Sequence, residues 1–219
     1  MNSEVRSFLT RLQALPAKPG VNLDSVLSLY TPEEAELRRL FVEDRDNTRL
    51  ANLHVGLIDI FDVPDGLRKT RARIVKDDVD LTAKHVFPLP QARRRKDGEP
   101  CMSENLKEFK ENWNIFTEGS FSQFSDWNNV VAAGGSILAC LLPVPLNARG
   151  TKSALREYFH SSAFPSSDVD LFLYDLTPDQ AEDKMKQIYE AIRSSVPWEV
   201  TCVRTKNAVT IHCEHKSVP

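Results

Sequence analysis

The sequence predicts an α+β fold, in which short strands are combined with helices. Apolar residues recur at helical spacing in several segments, and they alternate with polar residues in segments nearer the C-terminus. Between these, a Gly-Gly-Ser turn joins a short apolar run to a second apolar run. We therefore expect a small mixed sheet flanked by helices, preceded by a mostly helical N-terminal extension.

The composition excludes several classes of protein. The chain has 219 residues, of which 41% are hydrophobic, enough for one good-sized domain or a domain with an extension. The net charge of −3 gives no overall field that would attract nucleic acid or an anionic membrane. The four scattered cysteines form no Cys-x-x-Cys pair, and the N-terminus has no apolar signal core. We expect an intracellular protein, cytoplasmic or nuclear, without a membrane span.

Residues 1–102 are expected to form a helical and basic extension. Met1 to Leu15 carries apolar residues at helical spacing, and Thr31-Pro32-Glu33-Glu34 has the composition of a capping box. The stretch from Arg68 to Lys96 is basic at both ends and acidic in the middle. We interpret it as a solvated, partly irregular connection, with phosphate binding as the alternative.

Residues 103–219 are expected to form a separate head. Its predicted elements are a helix capped by Ser103, an inserted helix over Ser153 to His160, and a helix over Pro178 to Ser194. A hairpin follows, with strands over Trp198 to Arg204 and Ala208 to Cys213. Its inward positions are predicted to be Thr210 and His212.

The turn Gly134-Gly135-Ser136 is the first candidate functional motif. It follows the strand-like run that begins at Asn129 and precedes the helix-like run from Ile137 to Leu142. Glycines allow a phosphate to approach the backbone, and serine and N–H groups at a helix start donate hydrogen bonds to it. The same pair of glycines is also compatible with a sharp turn alone.

The second motif is Asp168-Val169-Asp170, which leads into the apolar run from Leu171 to Tyr174. The period of a strand places both carboxylates on one face, where they repel each other unless a cation lies between them. Mg²⁺ prefers such oxygens together with substrate phosphates. An exposed strand edge without function is the alternative.

The order of these parts resembles the DNA polymerase β-like nucleotidyltransferase superfamily. Val130 to Leu142 and Asp168 to Gln180 are similar to the head of tRNA nucleotidyltransferases. The resemblance implies that Gly134, Gly135 and Ser136 contact a nucleoside triphosphate. It also implies that Asp168 and Asp170 are the catalytic carboxylates and the ligands of Mg²⁺. The stretch from Trp113 to Leu171 further resembles uncharacterised fungal proteins, some of which carry ankyrin repeats.

The sequence departs from the superfamily pattern in three places. The segment between Ser136 and Asp168 is longer than usual, and the third catalytic carboxylate has no clear position, with Glu199 and Glu214 as the nearest acids. We also expect the chain to be a fragment that stops before a final strand. Three functions stay open. They are nucleotidyl transfer to an acceptor such as RNA or a protein, a degenerate module that binds a nucleotide or a protein partner, and a helical interaction scaffold in which Asp-x-Asp is only surface.

Overall fold

The computed structural model describes residues 3–15, 23–52, 54–71, 96–165, 167–206 and 208–213. It confirms the α+β class, with helices and short antiparallel sheets. The chain divides into two compact units, Met1–Met102 and Ser103–Pro219. Within the described ranges, no helix is long and apolar enough to cross a membrane.

The first unit is helical in its described parts. Helix α1 spans Ser3–Ala14, α2 spans Asp24–Leu27 and α3 spans Thr31–Glu43. Each helix contributes one buried apolar side chain, respectively Leu9, Val26 and Leu40. Short 3₁₀ turns follow at Thr48–Ala51 and Asp65–Arg68. Most of the basic stretch, residues 72–95, lies outside the described residues.

The second unit contains four further helices and four strands among its described residues. The helices are α4, Leu106–Phe116; α5, Gly135–Leu141; α6, Lys152–Glu157, which continues as a π-helical turn over Tyr158–Ala163; and α7, Pro178–Ser195. The strands are β1, Val130–Ala133; β2, Asp170–Leu173; β3, Val200–Arg204; and β4, Val209–Cys213. The predicted helix, strand and hairpin positions are thereby confirmed to within a few residues.

The strands form two separate antiparallel pairs. β1 pairs with β2 in a register that places Ala133 opposite Asp170, and β3 pairs with β4 as the predicted hairpin. The expected single mixed sheet is therefore not formed by the described strands. Apolar side chains of both pairs instead pack around Ile188 and Ile192 of α7, so the two sheets meet through side chains rather than through backbone hydrogen bonds.

The prediction for the inward face of the hairpin is wrong. Thr210 and His212 are exposed, whereas Ile211 and Cys213 pack against the core around α7. Because successive residues of a strand point to opposite faces, a shift of one position exchanges the two sets. Ile211 and Cys213 occupy the inward face because burial of apolar side chains is favourable.

The predicted cap of α4 is also displaced. Asn105 is the N-cap residue, and its side chain accepts a hydrogen bond from the backbone N–H of Glu108. Ser103 is buried instead, and its hydroxyl donates to the carbonyl of Cys140 at 2.8 Å. Asn112 donates to the same carbonyl at 3.1 Å. The last carbonyls of α5 have no partners within the helix, so these two side chains stabilise its C-terminal end.

Two apolar cores position the segment that contains Asp168 and Asp170. Val169 packs against the core formed around Phe116, Cys140 and Phe159. Leu171 and Leu173 pack against the second core, around Ile188 and Ile192. The residues between them, Asp168, Asp170 and Phe172, are exposed. Asp170 is thus exposed at the first position of β2, and Asp168 is exposed two residues before the strand begins.

Candidate functional site

The glycine turn at the end of β1 lies directly against Asp170. Gly134 has φ +79° and ψ −154°, a conformation that is open almost only to glycine. A Cβ atom at Gly134 would lie 2.5 Å from Oδ2 of Asp170. The absence of a side chain at Gly134 therefore makes the room that this carboxylate occupies.

The second glycine of the turn has a similar relation to Ser167. A Cβ atom at Gly135 would lie 2.7 Å from Oγ of Ser167. The structure thus brings Gly134, Gly135, Ser167 and Asp170 together at one end of the β1–β2 pair. Sequence reasoning missed Ser167 as a site residue, since its only signal was a hydroxyl immediately before Asp-x-Asp.

Ser136 has a different position from its neighbours in the motif. Its side chain is completely buried, and its hydroxyl donates a hydrogen bond to the carbonyl of Ala133 at 3.3 Å. That bond links the start of α5 to the end of β1. The hydroxyl is therefore directed into the protein, and the surface of the turn is formed by the backbone and by Gly134 and Gly135.

Helix α5 behind the turn is anchored in the core. Ala139 and Cys140 are buried there against Phe116 and Phe159. Burial raises the pKa of the Cys140 thiol to about 12, so the thiol stays protonated at neutral pH. A protonated, enclosed thiol packs as a small apolar group. The glycine turn is thus supported by a helix that is fixed at both ends.

Asp168 and Asp170 present two exposed carboxylates. Both side chains are exposed, and neither forms a hydrogen bond or an ion pair with another of the described residues. Two negative groups on one strand face favour a cation between or beside them. Their hard oxygen atoms fit Mg²⁺, which proteins usually hold through one or two carboxylates together with water and phosphate oxygens.

The described part of the chain provides no third protein ligand beside the two carboxylates. Among the described residues, no group of three or more His, Cys, Asp or Glu side chains is arranged to hold a metal ion. Glu199 is exposed immediately before β3, and Glu214 lies outside the described residues. The donor set shown is therefore the carboxylate pair, and a bound Mg²⁺ would need its other ligands from water and substrate.

The same face of the β1–β2 pair continues with apolar side chains. Phe172 is 58% exposed, Val131 opposite to it is 47% exposed, and Tyr174 is 40% exposed. The backbone N–H of Tyr174 donates to the carbonyl of Asn129 at 3.2 Å, which extends the pairing beyond β2. One exposed face thus carries acidic groups at one end and an apolar patch at the other.

The segment that leads into β1 is fixed by an ion pair and by aromatic packing. Nζ of Lys184 on α7 lies 2.6 Å from Oδ2 of Asp126, and the lysine side chain is buried while the aspartate is half exposed. The hydrogen bond from Lys184 and a second one from the backbone N–H of Asn128 hold the pKa of Asp126 below its usual value. Nearby aromatic rings make edge and tilted contacts that involve Trp113, Phe121, Phe124 and Trp127.

Comparisons with known proteins give no assignment for this site. No protein-family model matches the chain, and no curated protein or solved structure matches it either. The functional interpretation therefore depends on the site itself: a glycine turn, a carboxylate pair and an apolar patch on one face.

Proposed function

We propose that the unit Ser103–Pro219 is a nucleotidyltransferase-like head that binds a nucleoside triphosphate together with Mg²⁺. The observation that carries this proposal is the position of the Asp170 carboxylate, whose Oδ2 lies 2.5 Å from where a Cβ atom of Gly134 would be. It places a metal-binding type of group directly beside the glycine turn, so that a Mg²⁺ ion held by the carboxylate would bring phosphate oxygens close to that turn.

The site residues have distinct roles in this proposal. Asp168 and Asp170 supply carboxylate oxygens to the metal, and Ser136 fixes the turn from within through Ala133. Gly134 and Gly135 leave the room that Asp170 and Ser167 need at the edge where the triphosphate would bind. Mg²⁺, when bound, would neutralise phosphate charge and stabilise the leaving pyrophosphate. Ser167 lies beside Gly135 and adds a hydroxyl at the same edge.

Nucleotidyl transfer would be the reaction of such a complex. An acceptor hydroxyl oxygen forms a bond to the α-phosphorus, the bond from that phosphorus to the bridging oxygen breaks, and pyrophosphate leaves. The hydroxyl proton passes to water. An RNA end or a protein hydroxyl would serve as the acceptor, and the attack is in line with the departing pyrophosphate.

Calorimetric titration of the full chain with each ribonucleoside triphosphate tests the binding step. We expect saturable binding in MgCl₂ that is lost with EDTA and lost in the variant Asp168→Asn/Asp170→Asn. The control variant Asp183→Asn/Glu190→Gln removes the same charge from exposed positions of α7 and should bind as the unmodified chain does. Equal binding by the Asp168→Asn/Asp170→Asn variant would contradict the proposal.

A degenerate module that binds without transfer is the second candidate. It is favoured by the finding that no cluster of three metal-ligating side chains occurs among the described residues, and by the exposed apolar patch beside the carboxylates. The two candidates differ in pyrophosphate release. Incubation with triphosphate labelled at the α-phosphate, Mg²⁺ and total RNA or protein should release pyrophosphate and label the acceptor if transfer occurs. Binding with neither product would support the second candidate.

A further inference from the structure

Four exposed side chains follow one another on one face of the segment around β2. They are Asp168, Asp170, Phe172 and Tyr174, and the residues between them point toward the two cores. Side chains two positions apart on a strand are separated by about 7 Å. The face therefore changes from two carboxylates to two aromatic rings within a short distance.

The aromatic part of this face is wider than a single strand. Val131 of β1 lies directly opposite Phe172, and both side chains are about half exposed. Opposed side chains of an antiparallel pair are close enough to form one continuous surface. Val131 and Phe172 therefore form an exposed apolar pair beside the carboxylates.

The chemistry of the face restricts what can cover it. The two carboxylates attract a cation, and the aromatic rings about 7 Å away suit a flat apolar group. A nucleotide carried by Mg²⁺ has both features, because its phosphates hold the metal and its base is a planar ring. A polynucleotide fits less well, since most of its phosphates would meet the two carboxylates and a chain of net charge −3.

We propose that Phe172 and Tyr174, together with Val131, form a stacking platform for the base of the nucleotide whose phosphates are held at Asp168 and Asp170. This inference rests on the function proposed above and adds the part of the site that contacts the base. Aromatic side chains on open sheet faces stack the bases of single-stranded nucleic acids with little dependence on base identity, and the same stacking would serve a single nucleotide.

Competition between Mg²⁺–ATP and Mg²⁺–tripolyphosphate tests the platform, because the second ligand has the phosphates but no base. The full chain should bind ATP about tenfold more tightly than tripolyphosphate. Phe172→Ala should remove this preference and leave tripolyphosphate affinity unchanged, whereas Phe172→Tyr should retain the preference. Phe172→Leu, which keeps an apolar side chain without a ring, should behave like Phe172→Ala.

A substitution on the other sheet, in β3, is the control for the stacking platform. Val203→Ala changes an exposed apolar residue of β3 and should alter neither affinity. Tripolyphosphate binding with an ATP preference that survives in Phe172→Ala would overturn the platform and leave the proposed function in place. Binding of neither ligand by the unmodified chain would overturn both. A nucleotide-independent dimer that Phe172→Ala abolishes in sedimentation would assign the face to a second copy of the chain and overturn the platform.

Discussion

Oδ2 of Asp170 occupies the space that a side chain at Gly134 would need, with only 2.5 Å to the position of a Cβ atom there. The two residues are brought together by the antiparallel register of β1 and β2, in which Ala133 is opposite Asp170. The position of the Asp170 carboxylate therefore depends on the absence of a side chain at Gly134.

Gly134→Ala is expected to destabilise the second unit. The positive φ of Gly134 is strained for alanine, and the new methyl group would displace the Asp170 carboxylate. Backbone strain of this kind costs about 1–3 kcal/mol. Denaturant unfolding measures the change.

Gly150→Ala is the matched control for that experiment, because its Cβ would meet nothing within 4 Å. We expect it to be close to neutral. Adding Asp170→Ala should recover part of the loss in Gly134→Ala, since it removes the colliding carboxylate. Equal stability of Gly134→Ala and Gly150→Ala would show that the turn is not arranged as described.

Two similar sequence motifs are expected to respond differently to the same substitution. Thr177 forms a complete capping box with Gln180, and its hydroxyl accepts from the Gln180 backbone N–H. Thr31 forms none, because the N–H of Glu34 already donates to the carbonyl of Tyr30. Thr177→Ala should cost about 1 kcal/mol of local stability.

Amide hydrogen exchange gives the readout for both helix starts. Exchange at Gln180 should accelerate in Thr177→Ala, while exchange at Glu34 should be unchanged in Thr31→Ala. Faster exchange at Glu34 would show that Thr31 acts as the cap that its sequence suggests.

The ion pair between Asp126 and Lys184 should make the stability of the folded chain depend on pH. The pKa of Asp126 is lowered in the folded chain, chiefly by the hydrogen bond from Lys184. A carboxyl group whose folded pKa is lowered contributes stability above its unfolded pKa, and this is lost as the pH falls through the folded value. The stability difference between the unmodified chain and Asp126→Asn should therefore be constant at neutral pH and shrink below pH 3.8.

Asp183→Asn is the control for this titration, since the Asp183 carboxylate is largely exposed on α7. Its stability difference from the unmodified chain should be small at every pH. A difference for Asp126→Asn that does not change in acid would mean that the pair does not hold Asp126 in its charged form.

The buried thiol of Cys140 should make the free energy of unfolding fall as the pH rises above neutral. Its folded pKa of about 12 exceeds the ordinary value of 9.0, so the unfolded chain ionises first as the pH rises. Stability should fall by up to about 1.4 kcal/mol per pH unit over this interval, relative to Cys140→Ala.

Chemical modification gives a second test of Cys140. A thiol reagent at neutral pH should modify exposed Cys202 and leave Cys140 unmodified until the chain unfolds. Early modification of Cys140 would contradict its burial.

Local sequence patterns were sufficient to predict much of the second unit. The strand, glycine turn and helix at Val130–Leu141 and the helix opened by Thr177 follow from short-range rules of periodicity and capping. The alternation of exposed and partly buried residues from Asp168 to Leu173 also follows the sequence pattern, although β2 begins only at Asp170. These features depend on residues that are close in the sequence.

Features that depend on distant residues could not be predicted in this way. Ser103 is a suitable cap by composition, but the carbonyl of Cys140 binds its hydroxyl and Asn105 takes the capping position. The face of the β3–β4 hairpin is decided by packing on Ile188 and Ile192 of α7. Likewise, the contact of Gly134 with Asp170 depends on the strand register, and Ser167 enters the site for the same reason.

The most direct test of the central claim is to locate a metal-bound nucleotide on the chain. Mn²⁺ binds to the same oxygen ligands as Mg²⁺ and broadens the NMR signals of nearby nuclei. In a spectrum of the full chain with Mn²⁺ and ATP, we predict selective broadening at Gly134, Gly135, Asp168 and Asp170, which is absent in Asp168→Asn/Asp170→Asn. Broadening elsewhere, with these four signals unchanged, would contradict the assignment of the nucleotide site.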